Sequence, residues 1–219
     1  MESIIRADKF NPENIVYSDL KKTPSGGKQI HVNNGDTQGI VMQTPTMKCP
    51  FGVKTYDDES QKFTLEMSFG NIDNNLQLKN FHDAVETFDD KLLDDGVKNS
   101  VSWFSKKGIS KDVLKALYTP QLRVSKDRDT GEPDGKYPPT FRIKIPYYEG
   151  KWQCKVFDEK KEKIDVDPRE VLVPGCEVKA LIKCTGMWFV NGKYGCTWKA
   201  LQMVVKRPQN FTEYSFIDS

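Results

Sequence analysis

Two long extended runs meeting at Asn191-Gly192, within the segment from Gly175 to Arg207, constrain this chain more than any other feature. Asn-Gly between such runs is the strongest short hairpin signal, because both turn residues must take positive φ. With those two residues as the turn, Phe189 faces Tyr194, Met187 faces Cys196 and Thr185 faces Trp198. Strict alternation puts Lys179, Lys183, Phe189, Tyr194, Trp198 and Gln202 on one face. The other face collects Val178, Ala180, Ile182, Cys184, Leu201, Met203 and Val205. The second set reads as core and the first as an exposed platform of rings and cations. A one-residue slip of register would exchange the two faces.

Further strands precede this hairpin. Lys62–Phe69 alternates, with Phe63, Leu65, Met67 and Phe69 on one face, and Thr140–Pro146 does the same with Phe141, Ile143 and Ile145. Gln29–Val32 and Gly39–Gln43 are shorter extended pieces. Between the two longer strands the period changes. Leu78, Phe81, Val85, Phe88 and Leu92 form a helical apolar stripe, with Asp83, Glu86, Asp89, Asp90, Asp94 and Asp95 on its outer face. Ser110 is placed to cap a short second helix that Pro120 stops. The expected organisation is a flexible N-terminal arm over 1–27, one domain over 28–207 with a helical insertion at 75–118, and a tail over 208–219. Strands that follow one another without helices suit antiparallel pairing. The expected fold is therefore α+β, an antiparallel Greek-key barrel of OB type with an inserted amphipathic helix and a short second helix. Two packed sheets are the alternative.

Net charge is only +2, but it is unevenly spread. Residues 1–118 hold 15 Lys and Arg against 17 Asp and Glu, whereas 119–207 hold 18 against 12. The basic excess falls in the strand-rich half, which suits a polyanionic partner. The five cysteines are widely spaced without Cys-x-x-Cys, as expected of free thiols in a reducing, intracellular setting. No run resembles a signal peptide or a membrane span, so no membrane partner is expected. Neither His31 nor His82 lies near a cysteine pair, so no zinc site, other metal or cofactor is expected. Phosphate-loop, nucleophile-elbow and paired-histidine motifs are absent, and acidic pairs such as Asp57-Asp58 and Asp94-Asp95 read as solvated. A non-enzymatic role is expected.

Rings interleaved with bases suit single-stranded nucleic acid, whose bases stack on aromatic faces while lysine and arginine draw the phosphates. The candidate stacking residues are Phe189, Tyr194 and Trp198. The candidate phosphate contacts are Arg123, Arg142, Lys144, Lys151, Lys155, Lys179, Lys183, Lys193 and Lys199. Taken singly, each ring is more at home in a core. Trp188, opposite Gly195, reads as an aromatic covering a glycine backbone.

The block Gly186–Val205, with Gly192-Lys193-Tyr194-Gly195 followed by Trp198-Lys199, resembles the C-terminal signature of proteins from nucleocytoplasmic large DNA viruses. Thr119–Val124, Tyr137–Lys144 and Thr44–Val53 are similar to the same group. That resemblance implies an OB-like single-stranded-DNA-binding protein supporting viral replication or repair, in the host cytoplasm or nucleus or packaged in the virion. By position it points to Lys193, Tyr194, Trp198, Lys199, Arg123, Arg142 and Lys144. The alternatives are RNA as ligand, or a virion or scaffold module. The acidic helix reads as a solvated face, or as a surface that recruits replication proteins or fends off DNA, and a second copy of the chain, in a homo-oligomer, is a further candidate partner.

Overall fold

A computed structural model describes residues 4–24, 26–37, 39–55 and 61–208. The fold is mixed α+β, dominated by one large sheet. Five strands organise it: β1 (Met47–Lys48), β2 (Phe63–Ser68), β3 (Thr140–Ile145), β4 (Glu177–Val190) and β5 (Lys193–Lys206). β1 pairs with β2, β2 with β3, β3 with β5, β5 with β4, and β4 again with β1. The pairings thus return to the strand they left. The expectation of purely antiparallel strands is corrected. β3 runs parallel to β5, as do Tyr118–Thr119 and Lys155–Phe157, and Ile4–Arg6 is parallel to Val41–Gln43.

The β4–β5 hairpin turns at Asn191 and Gly192, with φ of 50° and 76°, and pairs Phe189 with Tyr194 and Met187 with Cys196. Beyond that point the strict-alternation register fails. Trp198 lies opposite Cys184, not Thr185, because Thr185 and Gly186 together face the single residue Thr197. A second irregularity inserts Leu201 between the pairs Leu181–Gln202 and Ile182–Ala200. Each bulge shifts the side-chain phase by one. The inner face of β4 is therefore Val178, Ala180, Ile182, Cys184, then Met187 and Phe189. On β5 it is Tyr194, Cys196, Trp198, Ala200, then Met203 and Val205, and all of these are buried. Gly186 makes the first bulge feasible: its φ is +103°, and a Cβ there would collide with the Ile30 carbonyl oxygen.

The three longest α-helices lie between β2 and β3 in the chain. α1 (Leu76–Lys98) starts at Asn75, whose side chain accepts hydrogen bonds from the Gln77 and Leu78 amides. α2 (Ser100–Phe104) and α3 (Lys111–Leu117) follow, and Ser110 caps α3 by accepting from the Val113 amide. The apolar stripe of α1 packs on the inner face of the sheet. Phe81 lies 5.8 Å from Phe69 and 5.3 Å from Phe141, and Phe88 lies 5.4 Å from Trp198. Among the described residues no helix is long and apolar enough to cross a membrane.

Two members of the acidic face do not point to solvent. Asp95 is buried and accepts from the Tyr17 hydroxyl at 2.8 Å and the Lys98 ammonium at 3.2 Å. Asp89 accepts from the Tyr118 hydroxyl at 2.6 Å and the Gln121 amide at 2.8 Å. Burial pushes the Asp89 carboxyl up to about 7, with Tyr118 and Gln121 opposing and Asp90 and Glu86 adding to the rise. The folded state therefore binds a proton that the unfolded chain releases near pH 4. That stabilisation is complete below the unfolded value and is lost as pH rises through 7. Relative to Asp89→Asn, the wild type should lose on the order of 3 kcal/mol between pH 4.5 and 8. Denaturant titrations of both proteins at the two pH values check this, and a pH-independent difference would contradict the assignment.

The segment expected as a flexible arm is tied down where it is described. Ile4–Arg6 joins the sheet, Ile15–Tyr17 pairs with Val32–Asn34, and Lys21–Lys22 pairs with Lys28–Ile30, which also pairs with β4. The Tyr17 ring meets Trp103 edge-on at 4.9 Å. Residues 209–219 of the expected tail, and Asp57-Asp58, lie outside the described residues.

Candidate nucleic-acid interface

The register of the sheet aligns cations that are far apart in sequence. Lys54 lies opposite Thr64, Thr64 opposite Lys144, Lys144 opposite Lys199, and Lys199 opposite Lys183. Four lysines and one threonine thus form a row across five neighbouring strands. Adjacent strands are about 4.8 Å apart, so each lysine of the row lies within roughly one Debye length of the next. Like charges directly opposite on a sheet are destabilising. No carboxylate among the described residues forms an ion pair with Lys144 or Lys199. Burial lowers the Lys144 pKa below the usual lysine range, and the nearby Lys62 ammonium lowers it further.

Three adjoining depressions follow this row. The central one, about 680 Å³, is lined by Lys62, Thr64, Lys144, Tyr147, Thr197 and Lys199 among others. It shares Thr64, Lys144 and Thr197 with one of about 240 Å³ that holds Arg123, Arg142 and Trp188. It shares Thr185 and Lys199 with one of about 480 Å³ that holds Lys21, His31 and Lys183. Together they make a continuous groove on the outer surface of β2, β3, β5 and β4. Among the described residues an acidic group beside it is Glu66, which accepts from the Arg142 guanidinium at 3.0 Å. Burial raises the Glu66 pKa, but the hydrogen bond and charge of Arg142, aided by Lys54 and Arg123, bring it below the ordinary carboxylate value. Arg142 is thereby fixed beside the groove by a charge-assisted contact.

The structure brings five of the nine basic residues chosen from sequence to this groove: Arg123, Arg142, Lys144, Lys183 and Lys199. The other four lie elsewhere. Lys179 lines a separate depression with Arg6 and Asp8, and Lys193 sits at the hairpin turn. Lys151 belongs to a small hairpin with Tyr148, and Lys155 pairs with Gln202 at the far end of β5.

The expected stacking platform is corrected. Phe189, Tyr194 and Trp198 are 9%, 0% and 2% exposed, and they pack with Trp103, Phe104, Tyr118, Phe88 and Phe141. The two bulges put these rings inside. Half-buried Tyr147 and Trp188 offer rings to the groove, while Trp198, though buried, borders the depression that holds Trp188. Trp188 does cover Gly195, where an added Cβ would sit 3.0 Å from its ring. Sequence reasoning missed Lys62, Lys21 and Tyr147 in the groove; Lys54 ends the row outside the three depressions, its ammonium 3.7 Å from the centre of the Phe51 ring. The available signal was slight: Lys62 opens an alternating strand whose polar side proves to be the groove side.

A family model described as a family of unknown function (DUF5871) matches residues 64–218. An uncharacterized protein of Acanthamoeba polyphaga mimivirus, L291, is 29% identical over 181 residues, covering 78% of this chain. The matched part is only 27% of the mimivirus protein's length. Among solved structures, the single-stranded DNA-binding protein from bacteriophage Enc34 in complex with ssDNA superimposes with a TM-score of 0.43 and 13% identity. That match spans 88% of this chain and 96% of the phage protein. The bacteriophage T7 single-stranded DNA binding protein gp2.5 gives a TM-score of 0.44 and 10% identity over 81% of this chain and 98% of its own. At these scores the likeness bears on neither the groove nor its ligand.

Proposed function

The chain belongs to the DUF5871 family of unknown function, and we propose from its own groove that it is a non-enzymatic, single-stranded-DNA-binding protein of viral type. The observation that carries this reading is the row Lys54–Thr64–Lys144–Lys199–Lys183. Like charges aligned at strand spacing oppose folding, and an extended polyanion laid along them relieves that repulsion. Tyr147 and Trp188 offer rings beside the cations, so bases stack while phosphates are held. Neither contact reads a base edge, which makes binding tolerant of sequence. A role in coating DNA during replication or repair follows from such tolerance.

The return of the pairings β1–β2–β3–β5–β4–β1 supports a finer reading of the fold as an OB-like Greek-key barrel with α1 packed inside one end. In such barrels the surface of the second and third strands and its adjoining loops take oligonucleotides. Here that surface carries Thr64, Arg142 and Lys144. In this reading the single domain expected over 28–207, with 75–118 as its helical insertion, also takes the preceding segment into its sheet.

Titration with fluorescent oligo-dT at about 50 and 200 mM salt tests the proposal. Affinity should fall with salt at a slope of about −0.7 per phosphate neutralised, giving roughly −2 to −3 for the lysine row. Absence of binding at the lower salt concentration would end this reading.

A further inference from the structure

A second feature combining rings and cations lies outside the groove, at the tip of the β4–β5 hairpin. A cavity of about 250 Å³ opens there between the turn, the end of α2 and the loop before Lys28. Trp103, Phe104 and Phe189 line it, packed with Tyr194, which is fully buried behind them. Phe189 and Tyr194 stack at 5.8 Å with planes 9° apart, and Phe104 meets them edge-on at 5.5 and 5.0 Å. Trp103 is buried behind Phe189, whereas Phe104 remains partly open. Lys28 and Lys193 line the opening, and no carboxylate among the described residues does. On two sides the rim is bare backbone. Gly26 and Gly192 both have positive φ and no atom within 4 Å of a would-be Cβ, so no side chain of theirs narrows the rim.

The cavity is linked to the groove by the N-terminal hairpin. Lys21 lines the end of the groove, and Lys28 lines the cavity. Lys21 lies opposite Gln29 and Lys22 opposite Lys28, so the hairpin carries cations from one site to the other. Lys22 and Lys28 repeat the arrangement of the main row, like charges placed directly across a ladder.

We infer that this cavity seats one base of the same single strand whose phosphates lie along the lysine row, an inference that rests on the groove reading above. A flat heteroaromatic ring fits against Phe104, and its phosphate fits between Lys28 and Lys193. An apolar ligand would leave both ammonium groups unmatched, and a simple anion would leave the rings unused. The ligand class is therefore a nucleotide within a chain. The N-terminal hairpin becomes part of the interface, guiding the strand between its two sites.

Photocrosslinking with oligo-dT, carrying iododeoxyuridine at one position at a time, tests this directly. Terminal positions should link to the peptide holding Trp103 and Phe104, and internal positions to those holding Tyr147 or Trp188. In the double variant Lys28→Gln, Lys193→Gln, which spares the packed rings, the terminal link should disappear. Its affinity for oligonucleotides long enough to span both sites should fall roughly 5- to 50-fold. Shorter ones that fill the groove alone should bind as they do to the wild type. Links at Tyr147 or Trp188 with none at Trp103 or Phe104 would overturn the inference and leave the groove standing. Loss of long and short oligonucleotides alike in the variant would also overturn it. No binding and no links anywhere would remove both.

Discussion

Replacing Lys144 and Lys199 together by glutamine is expected to weaken oligo-dT binding roughly 10- to 100-fold at low salt. The salt slope should fall by about 1.4, since each phosphate contact contributes about 0.7 on a single strand. The same variant should fold at least as well as the wild type. Lys199 lies directly between Lys144 and Lys183, and removing repulsion across a ladder stabilises by a few tenths of a kcal/mol per pair. Weaker binding with unchanged or higher melting temperature would mark the row as kept for a ligand. Unchanged affinity would remove the row from the interface. Loss of binding only alongside unfolding would make the lysines structural.

Trp198→Ala gives the second large effect, and it acts on stability. The ring is 2% exposed and lies 5.4 Å from Phe88 and 6.1 Å from Phe141, where α1 meets the sheet. Truncating a buried tryptophan costs about 3–5 kcal/mol. For a chain of this size the melting temperature should drop by roughly 10 °C or more. Trp198→Phe should be far milder. The indole N–H is buried without a hydrogen-bond partner among the described residues, so phenylalanine removes an unsatisfied donor as well as volume. A Trp198→Ala protein that melts like the wild type but binds oligo-dT poorly would return this ring to the surface.

The candidate site was only partly legible in the sequence. Arg123, Arg142, Lys144, Lys183 and Lys199 could be chosen because alternation put each on the polar side of a strand. Their assembly into one groove depends on which residue lies opposite which, and alternation within a strand carries no information about pairing between strands. Tyr194 and Trp198 were misplaced for a related reason. Their phase relative to Lys183 and Gln202 changes at Thr185-Gly186 and at Leu201, where the ladder takes in an extra residue. Asp89 and Asp95 looked solvated because helical spacing put them near the acidic side. The partners that draw them inward, Tyr118, Gln121 and Tyr17, come from segments far along the chain.

By itself the sequence determined the local elements: the Asn191-Gly192 turn through its positive φ, α1 through its 3.6-residue stripe, and α3 through the Ser110 cap. It also determined that basic charge gathers in the strand-rich half. Which face of the long hairpin is core depends on contacts distant in sequence. The close approach of the Ile30 carbonyl to Gly186 fixes a bulge there, and one extra residue reverses every side chain beyond it. The same long-range registers set Lys144, Lys199 and Lys183 side by side, turning a diffuse excess of charge into a row.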